Sequence, residues 1–298
     1  MSVRKILTSD RALCSRLVGL GITMFGYYDN KNVKAKLDIH DHGSCYEICF
    51  LEKGMQPYYI HPSDSSEGAQ MYCLYGGDVF VTHPHERHST GSFNQLRGRM
   101  YWINLDIESY SLLGLSAQNI DLLKSALSNI DNRIIQIPRS VSDRFKESFK
   151  LHYQPSEERI FRACQLISLF IMELSVYNKK INDKGFADRT VSSKIIEAIS
   201  FIDSNLLESD LSVQMIAEHL HYSKSYTMTA FRKEIGMSIH EYILNQKVEY
   251  ARKLLENYSI TETAHLLNFS SSQHFSKVFK DYTNMTPNEY KLLRATED

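Results

Sequence analysis

The hydrophobic and polar positions divide the chain into regions with different periods. Up to about residue 107, apolar residues fall in short runs that are rich in aromatic and β-branched side chains and are separated by glycine and proline. This pattern is typical of β-strands joined by turns, and it predicts a sandwich or a small barrel. The predicted strands are 46–51, 70–75, 78–82 and 100–105.

From about residue 109 the apolar period becomes that of helices. Hydrophobic residues recur at spacings of three and four over 122–130 and 160–174, and the chain from residue 190 onward reads as entirely helical. The polar segment 179–189 predicts a linker. The pattern therefore predicts an α+β protein with one domain over 1–178 and an all-α domain over 190–298.

The all-α domain contains an internal duplication. The segment IAEHLHYS at 216–223 recurs as TAHLLNFS at 263–270, an offset of 47 residues. After one inserted residue the match continues at an offset of 48, so that FR at 231–232 becomes FK at 279–280. The duplication indicates one supersecondary unit that is built twice.

Each copy has the signals of a helix, a tight turn and a second helix. His221 and Asn268 stand at the turn, where a left-handed backbone is often needed. Ser223 and Ser270 are suited to cap the helix that follows. Each copy is therefore a predicted helix-turn-helix.

The end of each unit is also marked. Gly236 and Asn284 suit the C-terminal cap of the second helix. The sequences S-x-x-E at 238–241 and T-x-x-E at 286–289 predict capping boxes, and Pro287 falls at the first helical position of the latter.

The two units are joined by a predicted helix over 239–257, which is about 28 Å long at ~1.5 Å per residue. Successive major-groove faces lie ~34 Å apart along DNA. A rigid connection of this length suits two recognition helices in adjacent grooves. The alternative is a helical repeat that acts as a protein-interaction scaffold, although two repeats are fewer than such arrays usually need.

At these residues the chain resembles the AraC (AraC/XylS) family of bacterial transcription regulators. The resemblance covers residues 195–293 and is carried by LSVQMIAEHLHYSKSY, AFRKEIGMSIHEYI, ARKLLE and FSSSQHFSKVFKDYTNMTPNEY. Thr263 and Asn268 depart from the usual Ile and Gly. The resemblance implies that the second helix of each unit, about 224–233 and 271–280, enters the major groove of double-stranded DNA.

The resemblance also implies which side of each recognition helix meets DNA. The side chains expected to face the interior are Tyr226, Thr227, Ala230, Phe231, Phe275, Val278 and Phe279. Those expected to contact DNA are Lys224, Ser225, Met228, Thr229, Arg232 and Lys233, and then Ser272, Gln273, Ser276, Lys277 and Lys280. Arg232, Lys233 and Lys280 are expected to meet phosphates, while a Gln can pair with adenine and a Lys can reach guanine.

Charge does not by itself indicate a nucleic-acid partner. The formal net charge is −1, and the chain from residue 190 carries eleven Lys or Arg against fourteen Asp or Glu. The predicted recognition helices are locally basic. This balance predicts modest affinity per monomer and a need for dimerisation.

The N-terminal region contains two histidine-rich motifs, HDH at 40–42 with Glu47 and Gly54, and GGDVFVTHPHERH at 76–88. These residues resemble the two motifs of the cupin β-barrel, a common sensor domain in AraC-type regulators. His40 and His42 lie two residues apart on an extended chain, so both point to one side. His85 stands where the second motif normally has Gly, and it is expected, like His83, to be a turn residue.

A polar cluster in an apolar β-domain predicts a ligand pocket. The candidate ligand-binding residues are His40, His42, Tyr46, Glu47, His88 and Trp102. Three histidines and a carboxylate also suit Zn, Fe, Mn or Ni, so His40, His42, Glu47 and His88 are candidate ligands of a divalent metal cofactor. The alternative is that these side chains line a metal-free pocket for a polar effector, or simply pack.

Together these patterns predict a sequence-specific transcription regulator that acts as an activator and responds to a small sugar-like effector. They do not predict an enzyme. The alternative is a cupin metalloenzyme, such as an isomerase or dioxygenase, with a helical appendage. The apolar stripes of the helices over 120–178 predict a homodimer, and activation implies contact with RNA polymerase.

Cysteine usage and hydropathy predict a cytoplasmic location without a membrane segment. The cysteines are scattered and odd in number, with no CxxC pair, which favours a reducing compartment. Residues 1–25 lack the pattern of a signal peptide. The longest apolar stretch, 166–176, is shorter than the ~20 residues that span a bilayer.

Overall fold

The computed structural model describes residues 3–6, 17–30, 37–62, 68–91, 98–152, 156–183, 190–209, 211–283 and 285–295. Packing divides the chain into two units. The first contains Asp38–Ser89 and Arg97–Thr190 with the N-terminal segment, and the second contains Val191–Asp298. Each unit has its own secondary structure and its own buried side chains.

The strands of the first unit form an antiparallel sheet. They are β1 (Val3–Ile6), β2 (Ile22–Asn30), β3 (Cys45–His61), β4 (Gln70–Tyr75), β5 (Asp78–Thr82), β6 (Arg87–Ser89), β7 (Gly98–Asp106) and β8 (Ile134–Gln136). Their order is β1-β2-β7-β3-β5-β8, while β4 and β6 pair with β3 off this path. The four predicted strands are confirmed within β3, β4, β5 and β7, whereas the other four strands had no counterpart in the prediction.

The long strand β3 connects two parts of the sheet. Its first part pairs with β7 and β5, and its second part, from Met55 onward, pairs with β4 and β6. The register with β7 shifts between Leu51 and Lys53, and Gly54 has a φ of 100°, which favours glycine. The described pairings do not form a closed ring, so the cupin-like barrel stays a prediction.

The two faces of the sheet carry separate cores because successive side chains of a strand point to opposite sides. Ile48 and Phe50 belong to the buried cluster that the helices of this unit cover. Cys49 and Leu51 belong to a second buried cluster on the other face. Glu47 lies two residues before Cys49, so it shares this second face.

Three helices cover the first face: α1 (Ala117–Ser128), α2 (Arg139–His152) and α3 (Glu157–Asp183). The rings of Phe145 and Phe170 stack between α2 and α3 with centroids 4.2 Å apart. β8 lies inside the region predicted to be helical. The sequence pattern does not show it, because three residues are too few to give a strand period.

The prediction of a linker over 179–189 is wrong at its start, where α3 continues to Asp183. Amide side chains hold the end of this helix in place. In the sequence the same polar residues look like part of a linker. Asn132 donates to the Oδ1 atoms of Asn178 and Asn182 at 2.8 and 2.6 Å. Residues 184–189 lie outside the described part of the chain.

The helix α3 is, over Glu157–Asn182, long and apolar enough to cross a membrane by length and composition. The expectation from the apolar run 166–176 alone did not show this. Ile160, Ile167 and Leu174 are buried in the first core cluster. Core packing therefore accounts for part of the hydropathy of α3, since 39% of the apolar window is buried.

The described part of the second unit is helical. Its helices are α4 (Ser193–Ser204), α5 (Val213–His219), α6 (Lys224–Ile235), α7 (Ile239–Asn257), α8 (Ile260–Leu266), α9 (Ser272–Thr283) and α10 (Pro287–Ala295). The predicted connecting helix is confirmed as α7. One face of α7 contributes Val248, Ala251 and Leu255 to the core that α8 and α9 complete.

Candidate nucleic-acid interface and polar cluster

The first helix-turn-helix consists of α5 and α6, and its turn is built as predicted. His221 has a φ of 57°, and the backbone N–H of Tyr222 donates to Ala217 O at 2.9 Å. Ser223 Oγ caps α6 by accepting from the N–H of Tyr226 at 3.3 Å. Ala217 is buried between the helices, where a small side chain permits close approach.

The second helix-turn-helix consists of α8 and α9 and repeats this geometry with one change. Asn268 has a φ of 54°, and the N–H of Phe269 donates to Ala264 O at 2.9 Å. The cap of α9 is Ser271, whose Oγ accepts from the N–H of His274 at 3.1 Å, so the predicted cap at Ser270 is wrong. The inserted residue lies before the cap, which lengthens this turn.

The helix ends agree with their signals. Gly236 has a φ of 79°, and its N–H donates to Arg232 O at 2.9 Å, while Asn284 lies outside the described residues. Ser238 and Glu241 form the predicted capping box. After the second helix-turn-helix, Thr286 and Glu289 form the other predicted capping box: Thr286 N donates to Glu289 Oε2 at 2.7 Å and Glu289 N donates to Thr286 Oγ1 at 3.2 Å.

Asn268 offers a direct test of the second turn. Its side-chain Nδ2 donates to Leu207 O at 2.7 Å, in addition to its left-handed backbone. Asn268→Ala removes this hydrogen bond and leaves a residue that tolerates the left-handed region poorly. We expect a loss of about 1–2 kcal/mol of unfolding free energy, measured by urea denaturation. Asn268→Gly should lose less, since glycine relieves the backbone strain; equal losses would contradict this explanation.

Most of the predicted DNA-contacting side chains are exposed. In α6 these are Lys224, Ser225, Met228, Thr229, Arg232 and Lys233, and in α9 they are Gln273, Lys277 and Lys280. Ser272 and Ser276 are half-buried. The opposite sides of both helices are buried through Thr227, Phe231, Phe275, Val278 and Phe279, and Ala230 is half-buried. Each recognition helix therefore presents one exposed face.

Tyr226 is the exception, because it was predicted to face the interior and is instead 57% exposed. Thr227, which lies one helical turn before the buried Phe231, faces the interior instead. Tyr226 packs edge-on against Tyr222, with ring centroids 4.8 Å apart. His274, the equivalent residue of α9, is also exposed and lies edge-on against Phe269 at 5.5 Å. Counting from the buried phenylalanines could have identified both as surface residues.

In the first unit, three histidines meet beside Glu47. His40 and His88 form an isolated bridge, in which His40 N donates to His88 O at 3.1 Å and His88 N donates to His40 O at 2.8 Å. One ring nitrogen from each of His40, His42 and His88 lies within 4.8 Å of the others. Glu47 oxygens lie 3.0 Å from His88 Nε2 and 3.5 Å from His42 Nε2.

The orientation of the rings is set by backbone carbonyl groups. His40 Nδ1 donates to Asp38 O at 2.7 Å, and His88 Nδ1 donates to Glu86 O at 3.2 Å. Because a carbonyl oxygen only accepts, these bonds place the proton on Nδ1 and leave Nε2 for the cluster. Despite their proximity to Glu47, Nε2 of His42 and Nε2 of His88 have no well-directed hydrogen bond.

Burial and the mutual charges shift the pKa values of the cluster in different directions. Burial alone raises the pKa of Glu47, but His42 and His88 outweigh it and hold that pKa far below its usual range. Burial lowers the pKa of His88, yet the Glu47 carboxylate raises it to a net increase. Burial is the main reason that the pKa of His40 is lowered. Glu47 is therefore an anion in a buried site.

The structure separates the remaining predicted pocket residues. Tyr46 lies on the opposite face of β3 from Glu47, in the first core cluster, with its ring 5.3 Å from that of His83. Trp102 shares the face of Glu47 but packs in the second core cluster beside Tyr28. Closeness in sequence was misleading for Tyr46 and Glu47, because adjacent residues of a strand point to opposite faces of the sheet.

The four-residue set fits a divalent cation. Three imidazole nitrogens and one carboxylate are the ligand types that Zn, Fe, Mn and Ni accept. The Nε2 atoms of His42 and His88 lie 3.5 and 3.0 Å from the Glu47 oxygens, so the nitrogen and carboxylate ligand atoms converge in one place. When bound, such an ion would supply positions for exchangeable oxygen ligands. The side chains that would hold it are His40, His42, Glu47 and His88.

Comparison with known proteins places the matches in the second unit. A family model described as a helix-turn-helix domain matches residues 205–292. The transcriptional activator AarP of Providencia stuartii is 37% identical over 103 residues, which are 34% of this chain and 76% of AarP. The Msm operon regulatory protein of Streptococcus mutans is 41% identical over 85 residues, 28% of this chain and 31% of that protein.

The similarity extends to solved structures of the same kind. An AraC-type regulator of Chromobacterium violaceum is 31% identical, with a TM-score of 0.33 and coverage of 35% of this chain and 95% of that one. The match spans about half, 56%, of a further relative from Pseudoalteromonas carrageenovora.

Two capped helix-turn-helix units joined by one long helix define a class of DNA-binding regulators. The chain belongs to the AraC family of transcription regulators.

Proposed function

We propose that the protein is a sequence-specific transcription regulator whose helices α6 and α9 enter adjacent major grooves of one DNA duplex. The observation that carries this proposal is that α6 and α9, in two capped helix-turn-helix units, each expose one face while the opposite face is buried. The 19-residue helix α7 is the rigid connection between them, with a length of about 28 Å that approaches the ~34 Å repeat of the groove.

Electrophoretic mobility shift with genomic fragments, followed by genome-wide mapping of bound sites, tests this function. We expect a small set of fragments to shift far more strongly than bulk DNA, with affinity that falls as salt increases. If no fragment exceeds bulk DNA, or if the salt slope is near zero, the proposed docking fails. An interaction scaffold would give that negative result.

The first unit is proposed to sense a small polar effector. Its support is the cluster of His40, His42, Glu47 and His88, which is polar, contains the buried Glu47 and His88, and lies on the sheet face that also carries the second apolar core. An effector that binds one arrangement of the regulator more tightly shifts the population toward it. A sugar-like effector, activation through RNA polymerase and a cytoplasmic location complete this proposal. DNA-binding assays with and without candidate sugars test the effector class.

A cupin-like metalloenzyme is the second candidate function, and the same cluster favours it. Purified protein that contains stoichiometric metal and converts a small substrate would support this alternative. A metal without turnover is compatible with a sensor, and the capped helix-turn-helix units have no part in such an enzyme.

The helix α3 is proposed to pair with its counterpart in a second copy of this chain. Its outer face exposes four large apolar side chains at helical spacing: Phe161, Leu169, Met172 and Val176. Contiguous apolar surface of this kind is uncommon on monomers. Phe161 lies eight residues before Leu169 and Val176 seven residues after it, so the stripe reads nearly alike in both directions. Such a pattern suits an antiparallel, two-fold interface.

Leu169→Glu should convert the dimer to monomer at micromolar concentration. Because Leu169 lies near the proposed two-fold axis, the substitution brings two carboxylates together in an apolar contact. Sedimentation velocity should give half the mass of the wild type. Tyr110→Glu introduces the same charge at another exposed site of this unit and should remain dimeric. A wild-type protein that is monomeric with and without DNA would contradict the proposal.

A further inference from the structure

Two further polar side chains face the cluster from neighbouring strands. Thr82 of β5 and Asn104 of β7 are both directly opposite Glu47 of β3, one on each side. Directly opposed residues of antiparallel strands share a face, with Cβ atoms ~4.5–5.5 Å apart. Thr82 lies within the second motif and Asn104 lies outside both motifs, but neither is among the residues predicted to hold the metal. Only the strand register places them beside the Glu47 carboxylate.

Thr82 and Asn104 are buried without satisfying their polar groups. Their exposed fractions are 2% and 1%, and Thr82 Oγ1 and Asn104 Oδ1 have no hydrogen-bond partner among the described residues. The Nε2 atoms of His42 and His88, in contrast, face the Glu47 carboxylate at 3.5 and 3.0 Å. Leaving a buried polar group unpaired is unfavourable, so two such oxygen atoms on either side of one carboxylate indicate an occupant that supplies the missing partners.

The chemistry of the two sides of this site differs. The histidines and Glu47 provide nitrogen and carboxylate ligands for a cation, and the histidine ligand atoms converge within 4.8 Å. Thr82 and Asn104 provide neutral oxygen atoms, which are weaker ligands for such ions but good partners for the O–H of a bound water or hydroxyl group. Partners of this kind orient the atoms that occupy the open positions of a metal site.

We propose that Thr82 and Asn104 are positioning residues that hold the exchangeable oxygen ligands of a divalent cation bound by His40, His42, Glu47 and His88. The oxygen belongs to water in the resting protein and to a hydroxyl group of the effector in the loaded protein. This inference rests on the proposed sensor function of the first unit. It assigns the effector to the class of neutral hydroxylated compounds, since the ion pairs of Glu47 among the described residues are with His42 and His88.

Titration of the full-length protein with Co²⁺, followed by visible absorption, tests the proposal. The wild type should bind one Co²⁺ per chain, and His88→Ala should abolish that binding. Thr82→Val and Asn104→Leu should keep the stoichiometry, shift the visible bands and weaken affinity about 10- to 100-fold. Thr82→Ser retains the hydroxyl group and should restore the wild-type spectrum. Thr261→Val, at an exposed position of the second unit, should change nothing.

The outcomes separate this inference from the proposed function. A wild type that binds no Co²⁺, or Thr82→Val and Asn104→Leu variants with wild-type spectra and affinities, would overturn it. If Thr82→Val unfolds, as judged by circular dichroism, Asn104→Leu and Thr82→Ser still decide the matter. Mobility shifts of the same metal-free variants report on DNA binding alone, so their failure would count against the regulator and not against the cation site.

Discussion

Replacing Lys277 by Ala should weaken binding to the specific DNA site by about 5- to 150-fold, the equivalent of about 1–3 kcal/mol. Lys277 is exposed on the free face of α9, one helical turn after Gln273. A lysine in the major groove can donate to guanine, so its loss should also relax the preference for one base. Fluorescence anisotropy with the mapped site and single-base variants measures both effects.

Two further variants distinguish a contact with a base from the general effect of removing a positive charge. Lys253→Ala removes the same charge from an exposed position of α7 and should leave specific binding unchanged. Lys280→Ala, a predicted phosphate contact, should weaken all sequences alike and reduce the salt slope by about one. If Lys253→Ala and Lys277→Ala have equal effects, the assignment of α9 as a reading helix is wrong.

Phe279→Ala should strongly destabilise the second helix-turn-helix while the N-terminal β-sheet unit keeps its structure. Phe279 is fully buried, with ring centroids 5.7 Å from Phe275 and 5.6 Å from Tyr290. Truncating a buried phenylalanine costs about 3–5 kcal/mol, a large share of the ~5–15 kcal/mol that stabilises a domain. Thermal denaturation should show a melting temperature lowered by at least about 10 °C for that unit.

A surface variant of the same unit provides the control. Leu292 is 69% exposed on α10, so Leu292→Ala should change stability by no more than about 0.5 kcal/mol. Specific DNA binding should be lost in Phe279→Ala and kept in Leu292→Ala. Similar destabilisation by both substitutions would show that the core around Phe279 does not hold the recognition helix in place.

The helix-turn-helix units could be read from the chain because their signals are local. A left-handed residue such as His221, a cap such as Ser223 and a capping box such as 238–241 each act within a few residues. The error at Ser270 has the same origin, since an inserted residue in a turn can precede or follow the cap without altering the pattern.

The sheet was only partly predictable. Four strands with several apolar residues were predicted correctly, but β2 was missed although it has nine residues. β8 and β6 have three residues each and carry too little pattern. The end of α3 depends on amide contacts with Asn132, which is distant in sequence. Periodicity can suggest a helix, but its limits depend on such tertiary partners.

The amino-acid sequence by itself determined the two DNA-binding units and the meeting of His40, His42, Glu47 and His88, since backbone turns and motif spacing are encoded over short distances. Tertiary structure alone decided that Tyr46 lies on the far face and that Thr82 and Asn104 flank Glu47. The physical reason is strand register: hydrogen bonds between strands choose which distant residues become neighbours, and a shift of one residue would reverse every side chain.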